Sequence, residues 1–266
     1  MISKAKIKYI KSLELKKNRN NDSVFVAEGP KVVGELLACM QARTIVATTE
    51  WLKDNSECYD KSKSEIVEVD EEGLRKVSFL QDPQQVLAVF PKDEYVINIE
   101  ETVGELILAL DDVRDPGNLG TIIRIADWFG ITKIVCSPGT VDVYNPKVVQ
   151  ATMGSISRVN VLYTDLVEFI EKLPSSMPVY GTFLDGDSIY RKELTEYGLI
   201  VMGNEGNGIS QKLKEEKVRI YDISKVITNN PIFEKSYECD ISDDETVHNV
   251  VDDILKREGN IDLLFC

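Results

Sequence analysis

The sequence is poor in residues that hold metals or crosslink chains. It has one histidine, His248, and five cysteines, Cys39, Cys58, Cys136, Cys239 and Cys266, an odd number with no CxxC pair. Neither a structural zinc site nor a disulfide framework is expected from such a set, and no catalytic metal is called for. No apolar run approaches the roughly 18 residues needed to span a bilayer, and the opening MISKAKIKYI lacks a signal-peptide core. A cytoplasmic protein with no membrane contact is the expectation. Net positive charge is missing too: the formal charge is -14 at pH 7, which argues against wholesale electrostatic adhesion to nucleic acid.

What is present is ordinary globular composition, 43% hydrophobic and 29% charged over 266 residues, enough for one large domain or two smaller ones. Charge is unevenly placed. Lys4, Lys6, Lys8, Lys11, Lys16, Lys17 and Arg19 face a single acid, Glu14, in the first 20 residues, while Asp240, Asp243, Asp244, Glu245, Asp252 and Asp253 crowd the last third. A basic strip on an acidic protein can still contact phosphates, and it can equally be a solvated terminus.

SVFVAEGPKVVGELLACM predicts a strand at Val24 to Ala27, a turn at Gly29-Pro30 and a helix with Val32, Val33, Leu36, Leu37 and Met40 on one face. RTIVAT and VLAVF add strands, so residues 1–91 form a small α/β domain, and the charged stretch PKDEYVINIEE marks a linker over 92–103. A second domain, 104–266, opens with ELILALDDV, a strand ending in Asp111 and Asp112. RDPGNLGTIIRIADWFG then predicts a helix capped by Asn118 and stopped by Gly130, with Ile122, Ile125, Ala126 and Phe129 as its buried stripe. ITKIVC completes a βαβ unit, which predicts parallel strands with ligands near their carboxyl ends. MPVYGTF and GLIVMG are further strands, the second followed by the helix SQKLKEEK.

Two places can carry chemistry. On the helix after Asp112, Arg124 lies about 200° from Ile122, pointing away from the core, where a functional arginine and a surface one look alike. The other is VMGNEGNGIS, an apolar strand running into Gly203, Gly206 and Gly208 around Glu205. It is neither GxxxxGK[ST] nor GxGxxG, so phosphate binding is not indicated. Glu205 would repel a phosphate but could accept a proton from an amine or hydroxyl, or pair with an arginine. A solvated surface turn is the alternative.

Taken together, DPGNLGTIIRIADWFG and VMGNEGNGIS resemble the first two motifs of the SpoU/TrmH family of RNA ribose 2'-O-methyltransferases. Asn118 and Arg124 fall on the polar positions of the first motif, and Gly203 to Gly208 match Gly-Asn-Glu-Gly-x-Gly without a gap. SVFVAEGPKVVGELL and KIKYIKSLELKKNRN resemble the N-terminal substrate-binding domain of many members, so the likeness runs from residue 1 to about 220. The resemblance implies an α/β trefoil-knot methyltransferase domain behind a smaller N-terminal α/β domain, working as a homodimer. It implies S-adenosyl-L-methionine held by three loops, around Leu184, around Gly203, Asn204, Gly206 and Gly208, and at Ile220. Arg124 would act on the ribose 2'-hydroxyl with Asn118 and Glu205 in support. The substrate implied is structured RNA, rRNA of the large subunit before tRNA.

The tail departs from this pattern. ETVHNVVDDIL puts Thr246 near an expected serine and His248 or Asn249 near an expected asparagine, more than ten residues late and with Asp252 and Asp253 where small apolar residues would pack. A catalytically impaired RNA-binding relative therefore stands as the alternative to an enzyme.

Overall fold

The structure is a computed structural model that describes residues 2–93, 95–183, 187–188, 194–214 and 219–222. The N-terminal part runs α1 (Lys4–Ser12), α2 (Lys16–Asp22), β1 (Val24–Glu28), α3 (Pro30–Leu37), β2 (Thr44–Thr48), α4 (Thr49–Asp54), β3 (Glu65–Val69), α5 (Glu71–Val77) and β4 (Val86–Pro91). Its sheet has the order β1-β4-β2-β3, with β4 antiparallel to both β1 and β2, and β3 parallel to β2. Alternate residues of β1 serve opposite faces, as the period of two requires. Phe25 and Ala27 pack with Val33 and Leu36 of α3, whereas Val24 and Val26 pack with Ile10 of α1 and Leu74 and Val77 of α5.

The basic strip at the start is only partly free for phosphates. Arg19 is 1% exposed, donating to the carbonyls of Leu13 and Glu14 and pairing with Asp142 at 2.5 Å. Lys6 pairs with Glu65, and Lys11 donates to the Ser78 carbonyl. Lys4, Lys8, Lys16 and Lys17 remain exposed.

The second part begins with a 3-10 turn, Ile99–Thr102, and continues through β5 (Leu106–Leu110), α6 (Pro116–Trp128), β6 (Lys133–Cys136), α7 (Pro146–Ala151), β7 (Asn160–Tyr163), α8 (Leu166–Lys172), β8 (Val179–Phe183), β9 (Asp187–Ser188), β10 (Gly198–Met202), α9 (Gln211–Lys214) and β11 (Arg219–Asp222). These strands form a sheet of order β7-β6-β5-β10-β8-β11-β9, and every described pairing is parallel. The chain leaves β5 toward β6 on one side, and β10 lies on the other side of β5 among β8 and β11. That reversal puts a crevice at the carboxyl ends of β5 and β10, where open parallel sheets take ligands.

Helix α6 is rotated from its expected setting. It buries Leu119, Gly120, Ile123 and Ala126, whereas Ile125 and Phe129 are 45% and 57% exposed and Trp128 is 81% exposed. Apolar residues surround the helix, so periodicity could not select the core face; packing of Leu119 and Ile123 against β5 and β6 does.

The two sheets are joined by more than a linker. Ile97 is buried with Ile107 and Leu199 of the second sheet. On α7, Val148 packs into the core of the second sheet and Val149 into that of the first, beside Phe25 and Leu36. The Tyr144 ring lies 4.9 Å from that of Phe25, and Arg158 pairs with both Asp127 and Glu35.

Candidate functional site

The glycine loop leaves β10 at the crevice and closes on itself through its backbone. The Asn204 N–H donates to the Gly208 carbonyl at 3.0 Å and the Gly208 N–H donates back to the Asn204 carbonyl at 2.7 Å. Oδ1 of Asn204 accepts from the N–H groups of Gly206 and Asn207 at 2.9 and 3.1 Å. A Cβ on Gly203 would lie 2.1 Å from the Gly208 carbonyl carbon, and Gly208 has φ +65°, so the first and last glycines are required by geometry. Gly206 is different: its φ is not left-handed and its nearest neighbour, Asn204 Oδ1, is 3.5 Å from a would-be Cβ. Bulk at Gly203, not at Gly206, would therefore jam the turn.

Two aspartates that sequence motifs did not assign brace this loop. Asp111, 7% exposed, accepts from the Ser210 N–H at 2.8 Å, and its own N–H donates to the Met202 carbonyl. The Asp112 carbonyl accepts from Asn204 Nδ2 at 2.9 Å, and Asp112 itself has φ +59°. Their signal in the sequence was the pair of acids directly after an apolar strand.

Across the crevice stands the start of α6. Asp115, not Asn118, caps it: the Asp115 carboxylate accepts from the Asn118 N–H at 2.9 Å, ahead of Pro116, whose missing N–H suits the first helical position. Relieved of capping, the Asn118 side chain donates to Glu205 Oε1 at 2.5 Å. The structure thus brings the two motifs together. Arg124 follows on the same helix, about 9 Å further along its axis, exposed as expected and without a hydrogen bond or ion pair among the described residues. Neither Asn118 nor Glu205 is bonded to it. Between them, Gly120 meets Ala151 of α7 so closely that a Cβ would sit 2.3 Å from that methyl group.

Of the other expected cofactor positions, Leu184 lies outside the described residues, as do Thr246, His248 and Asn249. Ile220 is inside β11, paired with Gly181, and that strand continues to Asp222, so Ile220 is a strand residue and not a loop one. Strands β10, β8 and β11 are consecutive parallel neighbours, and their carboxyl ends therefore open on one edge. An extended ligand can lie along that edge against side-chain-free backbone at Gly203 and Gly208, which fits a cofactor held by main-chain groups.

Fold and loop define a parallel α/β ligand-binding domain behind a separate smaller domain. The model of the SpoU rRNA Methylase family matches residues 105–227, and that of the MRM3-like substrate binding domain matches residues 4–88. The chain is 31% identical to the 23S rRNA (guanosine(2553)-2'-O)-methyltransferase of Bacillus subtilis over 79% of its own length and 84% of that protein's. A solved structure assigned to the TrmH family of RNA methyltransferases, from Porphyromonas gingivalis, is 36% identical with TM-score 0.73, covering 90% of this chain and 93% of that one. The AdoMet-bound rRNA methyltransferase of Sinorhizobium meliloti is 26% identical with the same TM-score, covering 98% and 97%. The chain belongs to the SpoU/TrmH-like family of SPOUT RNA methyltransferases.

Proposed function

We propose that this protein transfers a methyl group from S-adenosylmethionine to a ribose 2'-oxygen of ribosomal RNA, in the large subunit rather than in tRNA. The observation that carries this is the Asn118–Glu205 bond, which locks the glycine loop to the helix bearing Arg124. The 31% identity to a 23S rRNA ribose methyltransferase supports the substrate class.

S-adenosylmethionine supplies an activated methyl group on a sulfonium centre. The chain's part is to hold and orient. Backbone groups of Gly203 to Gly208 line the cofactor edge, and Asn118 with Glu205 sets the spacing between that loop and α6. Arg124 has only donors, so its guanidinium suits a substrate phosphate and the charge developing on the 2'-oxygen better than it suits proton abstraction. In-line placement of the 2'-oxygen is the dominant requirement, because misplacement by about 1 Å can cost 100-fold in rate.

The same reading divides the chain into 1–91 for RNA binding, 92–103 as connector and 104–266 for catalysis. It also makes the protein a homodimer. The exposed Ile125, Trp128 and Phe129 beside Arg124 give α6 an apolar outer face suited to a second copy. Labelled methyl transfer to protein-depleted 23S rRNA, followed by nuclease mapping, tests the activity: a 2'-O-methyl nucleotide is expected, and Arg124→Ala should abolish it. Wild-type protein that binds S-adenosylmethionine and RNA but transfers nothing overturns the assignment.

A further inference from the structure

A cavity of about 330 Å³ lies between the two parts of the chain, away from the glycine loop. Glu28 at the end of β1, with Phe79 and Leu80 after α5, lines one side; Lys147 and Gln150 of α7, with Met153, line the other. The lining is chiefly apolar, and its volume is at the small end of the range for ligand sites, about 300–1,000 Å³. Glu28 stands out there. It is 6% exposed, and burial pushes its carboxyl above the usual range, against the pull of its hydrogen bonds.

Those bonds come from the Ser78 hydroxyl to Oε2 at 2.5 Å and the Phe79 N–H to Oε1 at 2.7 Å. A carboxylate has about four acceptor sites, so each oxygen can take a further donor. No salt bridge to Glu28 is formed among the described residues. Lys11, the nearby cation, is engaged with the Ser78 carbonyl and lies 4.9 Å from the Phe79 ring centroid. Folding alone has no need of a charge at this place, since a neutral amide could accept from the Phe79 N–H through its oxygen and donate to the Ser78 hydroxyl through its nitrogen. At the rim, Lys147 is exposed and has no ion pair among the described residues.

A buried acceptor, an aromatic side chain, apolar walls and a cation at the mouth match the chemistry of a single unpaired base and its phosphate. Proteins read RNA sequence mostly on such splayed-out bases, by stacking and by hydrogen bonds to their edges. We propose that this cavity receives one unpaired base of the RNA substrate, guanine fitting best, with Glu28 accepting its N–H donors, Phe79 beside its ring and Lys147 on the adjoining phosphate. Guanine alone offers two adjacent donors on one edge, N1–H and the N2 amino group, and so can engage both carboxylate oxygens. The site is near the reacting helix as well. Ala151 lines the cavity and packs on Gly120, between Asn118 and Arg124, so the captured base sits within about one helix diameter, roughly 10 Å, of α6. It is then a near neighbour of the methylated nucleotide and contributes to choosing it. This inference rests on the RNA methyltransferase assignment.

The test uses the full chain with mononucleotides and with 23S rRNA. In calorimetric titrations up to about 10 mM, guanosine monophosphate should bind more tightly than inosine monophosphate, which lacks the N2 amino group, and uridine monophosphate should bind least. Glu28→Gln should lower guanosine monophosphate affinity by about tenfold or more, as expected for loss of charged hydrogen bonds. S-adenosylmethionine affinity should not change. Lys147→Ala, on the exposed rim, keeps the test informative if Glu28→Gln folds poorly: it should weaken rRNA binding and raise KM while kcat with saturating rRNA stays near wild type. Equal affinity for the three mononucleotides, or no saturable binding, overturns the proposal. Guanosine monophosphate binding that leaves rRNA affinity untouched in both variants also overturns it, in favour of a small-molecule effector site. Failure of methyl transfer to rRNA with base discrimination intact would sink the enzymatic assignment and leave the cavity as a guanine site.

Discussion

The side chains of Asn118 and Glu205 meet at 2.5 Å although 87 positions separate them in the chain. Asn118 is free to do so because Asp115 takes over the capping of α6, and Glu205 can reach it because the glycine loop turns back immediately after β10. Asn118→Ala and Glu205→Gln should each lower the methyl-transfer rate by at least about tenfold, and the double variant should lose much less than the product of the two. Both residues are exposed, so thermal midpoints should barely move. Fully independent effects on the rate would show that the bond does not couple the motifs.

Gly203 and Gly206 should behave oppositely. Gly203→Ala forces a methyl group onto the Gly208 backbone and should cost about 2 kcal/mol or more, with loss of S-adenosylmethionine binding in calorimetry. Gly206→Ala has room and should keep the wild-type midpoint. Any affinity it loses then reports a contact with the ligand. Equal destabilisation by the two changes would contradict the loop geometry.

Arg19 and Asp142 join the two parts of the chain through side chains only 2% and 10% exposed. Asp142→Asn leaves a buried guanidinium without its counter-ion and should cost about 3–5 kcal/mol in denaturant unfolding. Arg19→Met combined with Asp142→Leu should recover most of that loss. The salt dependence of RNA binding should instead flatten when Lys4, Lys8 and Lys17 are neutralised, since these are exposed. An unchanged slope would remove the N-terminal helices from the RNA footprint.

Glu28 gives a pH signature. Its folded carboxyl lies above the ordinary value of 4.5 because burial disfavours the charged form. The cost is therefore complete above the folded pKa and disappears as pH falls to the unfolded one. Glu28→Gln should match or exceed wild-type stability at pH 7, and the advantage should shrink toward about pH 4. A thermal-midpoint difference that widens on acidification would contradict the burial.

Much of this architecture was legible because its signals are local. Strands β1, β2, β4, β5, β6 and β10 are short apolar runs, and the glycine loop is a contiguous word. Strand β3 was not, since its EIVEV pattern carries two acids and only Val69 is buried. The buried face of α6 is not legible, because seven apolar residues from Leu119 through Phe129 leave no single stripe. Likewise, a buried Arg19 within a lysine-rich stretch looks like its neighbours until Asp142, 123 positions away, arrives beside it. The roles of Asp111 and Asp112 depend on β5 and β10 lying side by side, a tertiary fact.

Val148 and Val149 are consecutive residues of α7 that belong to different cores. One residue step turns a helix by about 100°, so a single insertion or deletion before them would carry each valine off its own surface. The helix is thus held in register by two masters at once. Drift in length, which surface connections tolerate freely, is closed to this segment, and the smaller domain cannot be exchanged for another without rewriting α7 with it.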